Sequence, residues 1–227
     1  MPPKKLNLHG LPVVKVSRRG ANRLKDGHVW VYRSDIAQAD GVAPGALVGV
    51  VDEREKFLGT ALYSSASQIA IRMISREAVK DLDSLLRTRI QEAIAYRERV
   101  VRDTDAYRIV FSEADFLPGL IVDRYNDLLS LQVLTQAMDI EAVRQVIVSE
   151  LSQRLHPEAI AERVDPRVRE LEQLPAQSSG LLQGEKKNTV FAMNGVRFHY
   201  DVLGGQKTGA FLDQRENYAA AAQYARG

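Results

Sequence analysis

Two short stretches near the end of the sequence carry the residue types that could do chemistry. In GGQKTG (204–209), glycines flank Gln206, Lys207 and Thr208. A phosphate-wrapping loop of the GxxxxGK[ST] type would need a glycine just before the lysine and another five residues earlier. Gln206 and Asp201 occupy those positions, so that match fails. What remains is a backbone that a ligand can approach closely, with Lys207 and Thr208 able to contact an anion. A glycine-bounded surface turn accounts for the same residues. In FLDQREN (211–217), Asp213 is placed to cap a helix beginning at Gln214. Gln214, Arg215 and Asn217 would then be first-turn groups able to hydrogen-bond a polar ligand over the helix N-terminus. Plain capping is the open alternative.

Further upstream, FSEADFLPGLIVDRYND (111–127) brings Glu113 and Asp115 together, a pair that could serve as acid and base. Turn capping is the favoured reading for both, with Asp123 and Arg124 as a strand-end ion pair. Near the front, Arg18, Arg19, Arg23 and Lys25 surround a short predicted helix, and His28, Trp30, Tyr32 and Arg33 follow on the next predicted strand. Cations interleaved with rings suit RNA, where charges meet phosphates and rings meet bases. Trp30 itself is expected in the core, leaving Arg18, Arg19, Arg23, Lys25, His28 and Arg33 as the RNA surface.

Charge distribution supports that surface. Residues 1–33 contain Lys4, Lys5, Lys15, Arg18, Arg19, Arg23, Lys25 and Arg33 against Asp26, although the 227-residue chain has a net charge of only +2. A basic module on an acidic body points to a polyanion. With 45% hydrophobic and 26% charged residues, the chain has the composition of a folded globular protein. It has no cysteine, which excludes disulfides, thiolate metal sites and a cysteine nucleophile from these residues. The four histidines are scattered, and no metal site is expected. No apolar run reaches membrane-spanning length and the basic N-terminus lacks a signal-type apolar stretch, so a cytoplasmic location is the default expectation.

The elements that must position these groups fall into three blocks. Up to about residue 75, the apolar runs VVKV, HVWVY, ALVGVVD, FLGTALY and QIAIRMI alternate with turn signals, the pattern of a small closed or half-closed β-barrel. A helix is predicted over 81–101 with Asp81 as cap, then strands at YRIVF, GLIVDRY and LLSLQVL, a helix over 140–155 and a strand at AIAERV. Residues 165–187 read as an irregular connector. Last comes the hairpin NTVFAMNGVRFHYDV, with Asn194-Gly195 suiting a type I′ turn.

Four segments in this order, RRGANRLKDGHVWVYRSDI, FLGTALYSSASQIAIRMISRE, YRIVFSEADFLPGLIVDRYND and VLGGQKTGAFLDQREN, resemble one family. It is the bacterial class I S-adenosylmethionine-dependent methyltransferases that make 5-methylcytosine in large-subunit (23S) ribosomal RNA. The resemblance implies an α+β fold in three parts: a PUA-like RNA-binding β-barrel (1–75), a central α+β linker domain with its connector (76–187), and the hairpin and first helix of a Rossmann-like methyltransferase domain (188–227). Enzymes of this kind attack C6 of cytosine with a cysteine thiolate, so the absent cysteine implies no catalytic residue here. The Gly-rich cofactor turn of the family would lie beyond Gly227, which implies an incomplete methyltransferase domain. Carried over by position, Gln206, Lys207 and Thr208 would lie beside the target nucleotide or cofactor, and Asp213, Gln214 and Arg215 would border the cofactor. The expectation is an RNA-recognition portion that binds ribosomal RNA but neither holds S-adenosylmethionine nor transfers methyl groups alone. A stand-alone PUA-type RNA-binding module is the alternative, and a homodimer through the edge of the hairpin 188–202 is a third.

Overall fold

Short β-branched runs broken by turn residues build the first sheet of the computed structural model, which describes residues 10–204 and 210–225. Strand β1 (Val13–Val16) leads through helix α1 (Arg18–Lys25) to β2 (Trp30–Tyr32), β3 (Ile36–Gln38), β4 (Leu47–Val51), β5 (Phe57–Tyr63) and β6 (Ile69–Ser75). Their order in the sheet is β2-β6-β5-β4-β1-β3, with β1 and β4 parallel and the other pairs antiparallel. Val14, Val16, Leu24, Val31, Val48, Val50 and Ile71 fill the interior. Strand β3 was not expected; three residues are too few to show a period.

Helix α2 (Leu82–Val100) begins where Asp81 accepts the Ser84 amide at 3.1 Å. Leu86, Ile90, Ala93 and Ile94 form its buried stripe at helical spacing. The chain then lays down β7 (Ala106–Phe111), β8 (Leu120–Tyr125) and β9 (Leu128–Val133), crosses over through α3 (Glu141–Leu155), and returns as β10 (Ala159–Glu162) parallel to β9. Helices α2 and α3 cover one face of this second sheet, where Ile109, Leu120, Val122, Leu129, Leu131 and Ile160 meet them. Each such fully buried aliphatic side chain contributes roughly 1.5–3 kcal/mol.

Residues 165–187 are not the irregular connector expected from their polarity. Asp165 accepts the Arg167 and Val168 amides and Pro166 occupies the first turn of α4 (Pro166–Leu171), while β11 (Gly180–Gly184) adds antiparallel to β10 as an edge strand. A six-residue helix and an exposed edge strand need little apolar sequence, which hid both. Next come β12 (Asn188–Met193) and β13 (Val196–Asp201), paired across Asn194 and Gly195, both at positive φ as a type I′ turn requires. Phe191, Met193, Tyr200 and Val202 pack on Ala106, Tyr125, Leu128, Ala159 and Ala161, on the sheet face opposite the helices. The outer edge of β12 is met by Asp103–Asp105, through the Asp105 amide to the Ala192 carbonyl (3.2 Å) and the Ala192 amide to the Asp105 carboxylate (2.7 Å). The chain ends its described course in α5 (Arg215–Ala222), a mixed α/β architecture throughout.

The two sheets share a core. Leu62 and Ile74 from the first belong to the same apolar cluster as α2, α3 and β7–β10. At this seam Gly45 (φ +75) lies so close to Gln136 that a Cβ would stand 3.0 Å from its carbonyl oxygen. Glu172, just past α4 and 2% exposed, accepts the Ser64 hydroxyl at 2.7 Å and faces Arg72 at 3.6 Å, while its carbonyl accepts the Gln136 amide at 2.7 Å. Replacing one partner of a buried charge set strands the other. The variant Glu172→Ala is therefore expected to lose about 3–5 kcal/mol of stability, read from a urea midpoint, and an unchanged midpoint refutes the seam's importance. Within the helical layer, burial pushes the Glu150 carboxyl up, but hydrogen bonds from Gln91, Arg154 and Arg87 outweigh it and hold it below the usual glutamate value. Its stabilisation is present above that usual value and is lost as pH falls through the lowered one. Glu150→Gln should accordingly flatten the acid limb of a stability-versus-pH curve.

Candidate functional site

The basic helix is set against its sheet by a cap and a close approach. The Ser17 hydroxyl accepts the Gly20 amide at 3.2 Å, and a Cβ on Gly20 would meet Asp35 and Val31 at 3.2 Å each. With Gly20, Ala21 and Leu24 facing inward, Arg18, Arg19 and Lys25 are exposed and Arg23 half-buried. Two acids temper this surface. Asp35, buried, takes the Arg19 guanidinium at 2.6 Å and lies 3.9 Å from Arg23; Asp52 lies 3.5 Å from the Lys25 ammonium. Burial raises the Asp52 carboxyl, yet the Lys56 and Arg54 amides and Lys25 hold it below its ordinary value. Among the described residues Arg18 makes no ion pair, and Arg54 lines the same depression as Arg18, Asn22 and Lys25. Sequence reasoning missed Arg54 because DEREK reads simply as a turn.

Of the other expected RNA-facing residues, His28 is exposed in the loop before β2. Arg33 stands apart: its guanidinium donates to the Ser64 carbonyl (2.5 Å) and the Ser67 carbonyl (2.9 and 3.1 Å), clamping the loop before β6. Trp30 is not core. It is 36% exposed, because Val31 takes the inward position of β2 and alternation sends Trp30 and Tyr32 outward. The indole N–H donates to Glu113 at 2.9 Å, and the Arg23 guanidinium lies 5.0 Å from the centre of the Tyr32 ring.

The carboxylates of 111–127 are all engaged. Glu113 also accepts from Arg72 at 3.3 Å, while Asp115 takes both guanidinium nitrogens of Arg97 and the Phe111 amide at 2.6 Å. Asp123 is paired with Arg108 (2.8 and 3.0 Å), not with Arg124, which donates to the Asn126 carbonyl at 2.7 Å. Consecutive strand residues point to opposite faces, whereas Arg108 lies directly across the ladder from Asp123. Hydrogen bonding to Asp123 raises the Arg108 guanidinium further above its ordinary value, against the effect of burial.

Arg108 lines a cleft of about 970 Å³ on the face of the second sheet that carries the hairpin, with its partner Asp123 buried beneath. Three cross-strand rows run along this face of the sheet. Ala106, Tyr125 and Leu128 lie under the hairpin; Arg108, Asp123 and Ser130 come next; Phe111, Ile121 and Gln132 form the outer row. Residues 210–216 supply a wall, held by the Ala210 amide on the Tyr125 hydroxyl (3.1 Å) and by Arg215 on the Arg102 carbonyl (3.1 Å). Burial drives the Tyr200 phenol well above its ordinary value, and the Leu203 and Gly204 amides hold Asp201 below its own. Asp213 and Arg215 line the cleft. Asp213 is not the expected cap: it sits inside a 3-10 turn (Leu212–Gln214), and α5 starts at Arg215 without a side-chain cap. Gln214 instead accepts from the Asn217 amide at 2.8 Å. Gln206, Lys207 and Thr208 lie outside the described residues. No cluster of three or more metal-ligating side chains occurs among the described residues.

Comparison with known proteins connects both regions. A family model described as a PUA-like domain matches residues 14–76. A protein named Ribosomal RNA large subunit methyltransferase I from Shewanella denitrificans is 36% identical over 222 residues, covering 94% of this chain and 55% of the relative. The protein of the same name from Tolumonas auensis is 36% identical over 206 residues, covering 88% and 51%. Over nearly its whole length the chain is similar to these methyltransferases. It spans about half the length of the curated relatives it matches. The fold is shared with a solved methyltransferase complexed with SAH (TM-score 0.75) and with a SAM-dependent methyltransferase from Streptococcus mutans (TM-score 0.73). Both are 21% identical and match 90% of this chain and 52% of theirs.

A double-mutant cycle tests the pairing of Arg108 with Asp123. Asp123→Ala and Arg108→Ala should each cost about 1–3 kcal/mol and couple to one another, whereas Arg124→Ala should show no coupling to Asp123.

Proposed function

We propose that this chain is the RNA-recognition portion of an S-adenosylmethionine-dependent methyltransferase acting on cytosine C5 in large-subunit ribosomal RNA. The single observation that carries the reading is 36% identity, over nearly the whole chain, to proteins named as large-subunit ribosomal RNA methyltransferases. The physical support is the exposed basic face of α1 on a PUA-like unit. In this reading residues 1–75 recognise RNA, 76–187 form the linker domain and 188–227 open the methyltransferase domain, in a protein working in the cytoplasm. Cations displaced from phosphates by Arg18, Arg19, Arg23 and Lys25 supply affinity that does not depend on sequence.

S-adenosylmethionine is the family's methyl donor. Charge in the cleft does not select for or against its sulfonium, because Arg97, Arg108 and Arg215 are already paired with Asp115, Asp123 and Glu216. Gln206, Lys207, Thr208, Asp213, Gln214 and Arg215 are proposed to border the target nucleotide or donor in the longer protein. Cytosine-C5 chemistry needs a thiolate nucleophile. None of the 227 residues can provide one.

Filter binding of a ribosomal RNA fragment should show affinity that falls as salt rises. Replacing Arg18, Arg19, Arg23 and Lys25 together by Ala should weaken it and make the salt slope shallower. Unchanged affinity removes α1 from the interface, and a wild-type slope of zero removes RNA altogether. With radiolabelled donor, residues 1–227 should incorporate no methyl group, and turnover would overturn that part of the reading.

A further inference from the structure

The outer row of the cleft floor is built differently from the rest of the sheet. Phe111, Ile121 and Gln132 stand side by side on β7, β8 and β9, with Phe111 opposite Ile121 and Ile121 opposite Gln132. Phe111, at the end of the edge strand β7, is 51% exposed. The Arg108 guanidinium lies 5.2 Å from the centre of that ring and is fixed in plane by its two hydrogen bonds to Asp123, which is fully buried. The guanidinium therefore stacks on the ring in a preset arrangement. Beside it, the Gln132 side-chain amide is half-buried and makes no hydrogen bond among the described residues. A second half-exposed ring, Phe211, lies on the facing wall.

We propose that this row is a seat for one unpaired nucleobase of an RNA strand, a second contact separate from the basic helix α1. The proposal rests on the RNA-recognition reading above. Unpaired bases are held by stacking on aromatic rings and guanidinium planes and by hydrogen bonds along their edges. Phe111 and Arg108 supply the stacking surface. The Gln132 amide supplies one acceptor and two donors for the base edge. A cleft of about 970 Å³ accommodates a nucleotide with part of its backbone. The occupant is an RNA nucleotide, following the RNA-recognition reading, and competition with S-adenosylmethionine in the test below separates it from the nucleoside half of the cofactor. A paired duplex cannot enter, because its base faces are already stacked.

Fluorescence anisotropy on the 227-residue chain with a labelled, mixed-sequence, single-stranded RNA tests this. Loss of one stacking contact is worth about 1–3 kcal/mol, or roughly 5- to 150-fold in affinity. Phe111→Ala should weaken single-strand binding within that range, Phe111→Trp should restore it, and Gln132→Ala should weaken it less. Duplex RNA of the same length should bind all variants equally, and the salt slope should not move, since no phosphate contact is removed. Thermal melts of the variants report folding, and rescue by Trp separates stacking from a folding defect. If the wild type binds with a normal salt slope and Phe111→Ala binds single strands equally well, the seat is refuted while RNA recognition stands. Absence of any RNA binding by the wild type refutes RNA recognition itself. Displacement of the RNA by S-adenosylmethionine at equal potency in wild type and in the α1 quadruple variant would reassign the cleft to the cofactor and overturn the proposal.

Discussion

A carboxylate buried between two sheets governs the arrangement of this molecule. Glu172 could not be tolerated at 2% exposure without the Ser64 hydroxyl and the Arg72 guanidinium. Those partners come from the first sheet, whereas Glu172 belongs to the chain leaving α4. The position of α4 is itself fixed by a run of charges: Arg169 pairs with Asp139, Asp139 with Arg144, and Arg144 with the buried Glu162 on β10. A set of ion pairs so connected has one low-energy arrangement, because shifting any member unpairs a neighbour in a low-dielectric setting. Apolar contacts between Leu62, Ile74 and the second sheet supply adhesion, and the polar chain supplies register.

The register has a functional bearing. The basic face of α1 and the cleft on the second sheet are carried by different sheets, and neither alone makes an extended track for a polymer. Holding both sheets in one geometry fixes the spacing between the two surfaces. Trp30 and Glu113 make a further tie at the exposed end of the seam, and Arg89 of α2 reaches the Ile74 carbonyl at another point. Three separate segments, carrying Glu172, Glu113 and Arg89, thus meet the first sheet through named polar contacts.

Much of this was legible from residue pattern. Helix α2, with its stripe of Leu86, Ile90 and Ile94, and the hairpin turn at Asn194-Gly195 follow from local chemistry, since period and turn preference are properties of neighbours in sequence. The partner of Asp123 was not legible, because adjacency in sequence suggested Arg124 while strand alternation delivers Arg108. Trp30 failed for a related reason: a large apolar residue is expected inside, but its place on an edge strand beside the inward Val31 decided otherwise. The outer row of Phe111, Ile121 and Gln132 is assembled from three strands, and no single-sequence period encodes a cross-strand register. Polar residues 165–187 concealed a helix whose role is electrostatic and so leaves no apolar signature.

The indole–carboxylate contact carries a photophysical consequence. Trp30 is the sole tryptophan of the chain, partly open to water, and its N–H is held across the seam by Glu113. The emission wavelength of an indole depends on the polarity and charge around it. The protein thus has a built-in spectroscopic gauge at one spot, where its two sheets touch, and a shift in its colour reports a change at that spot without any attached dye.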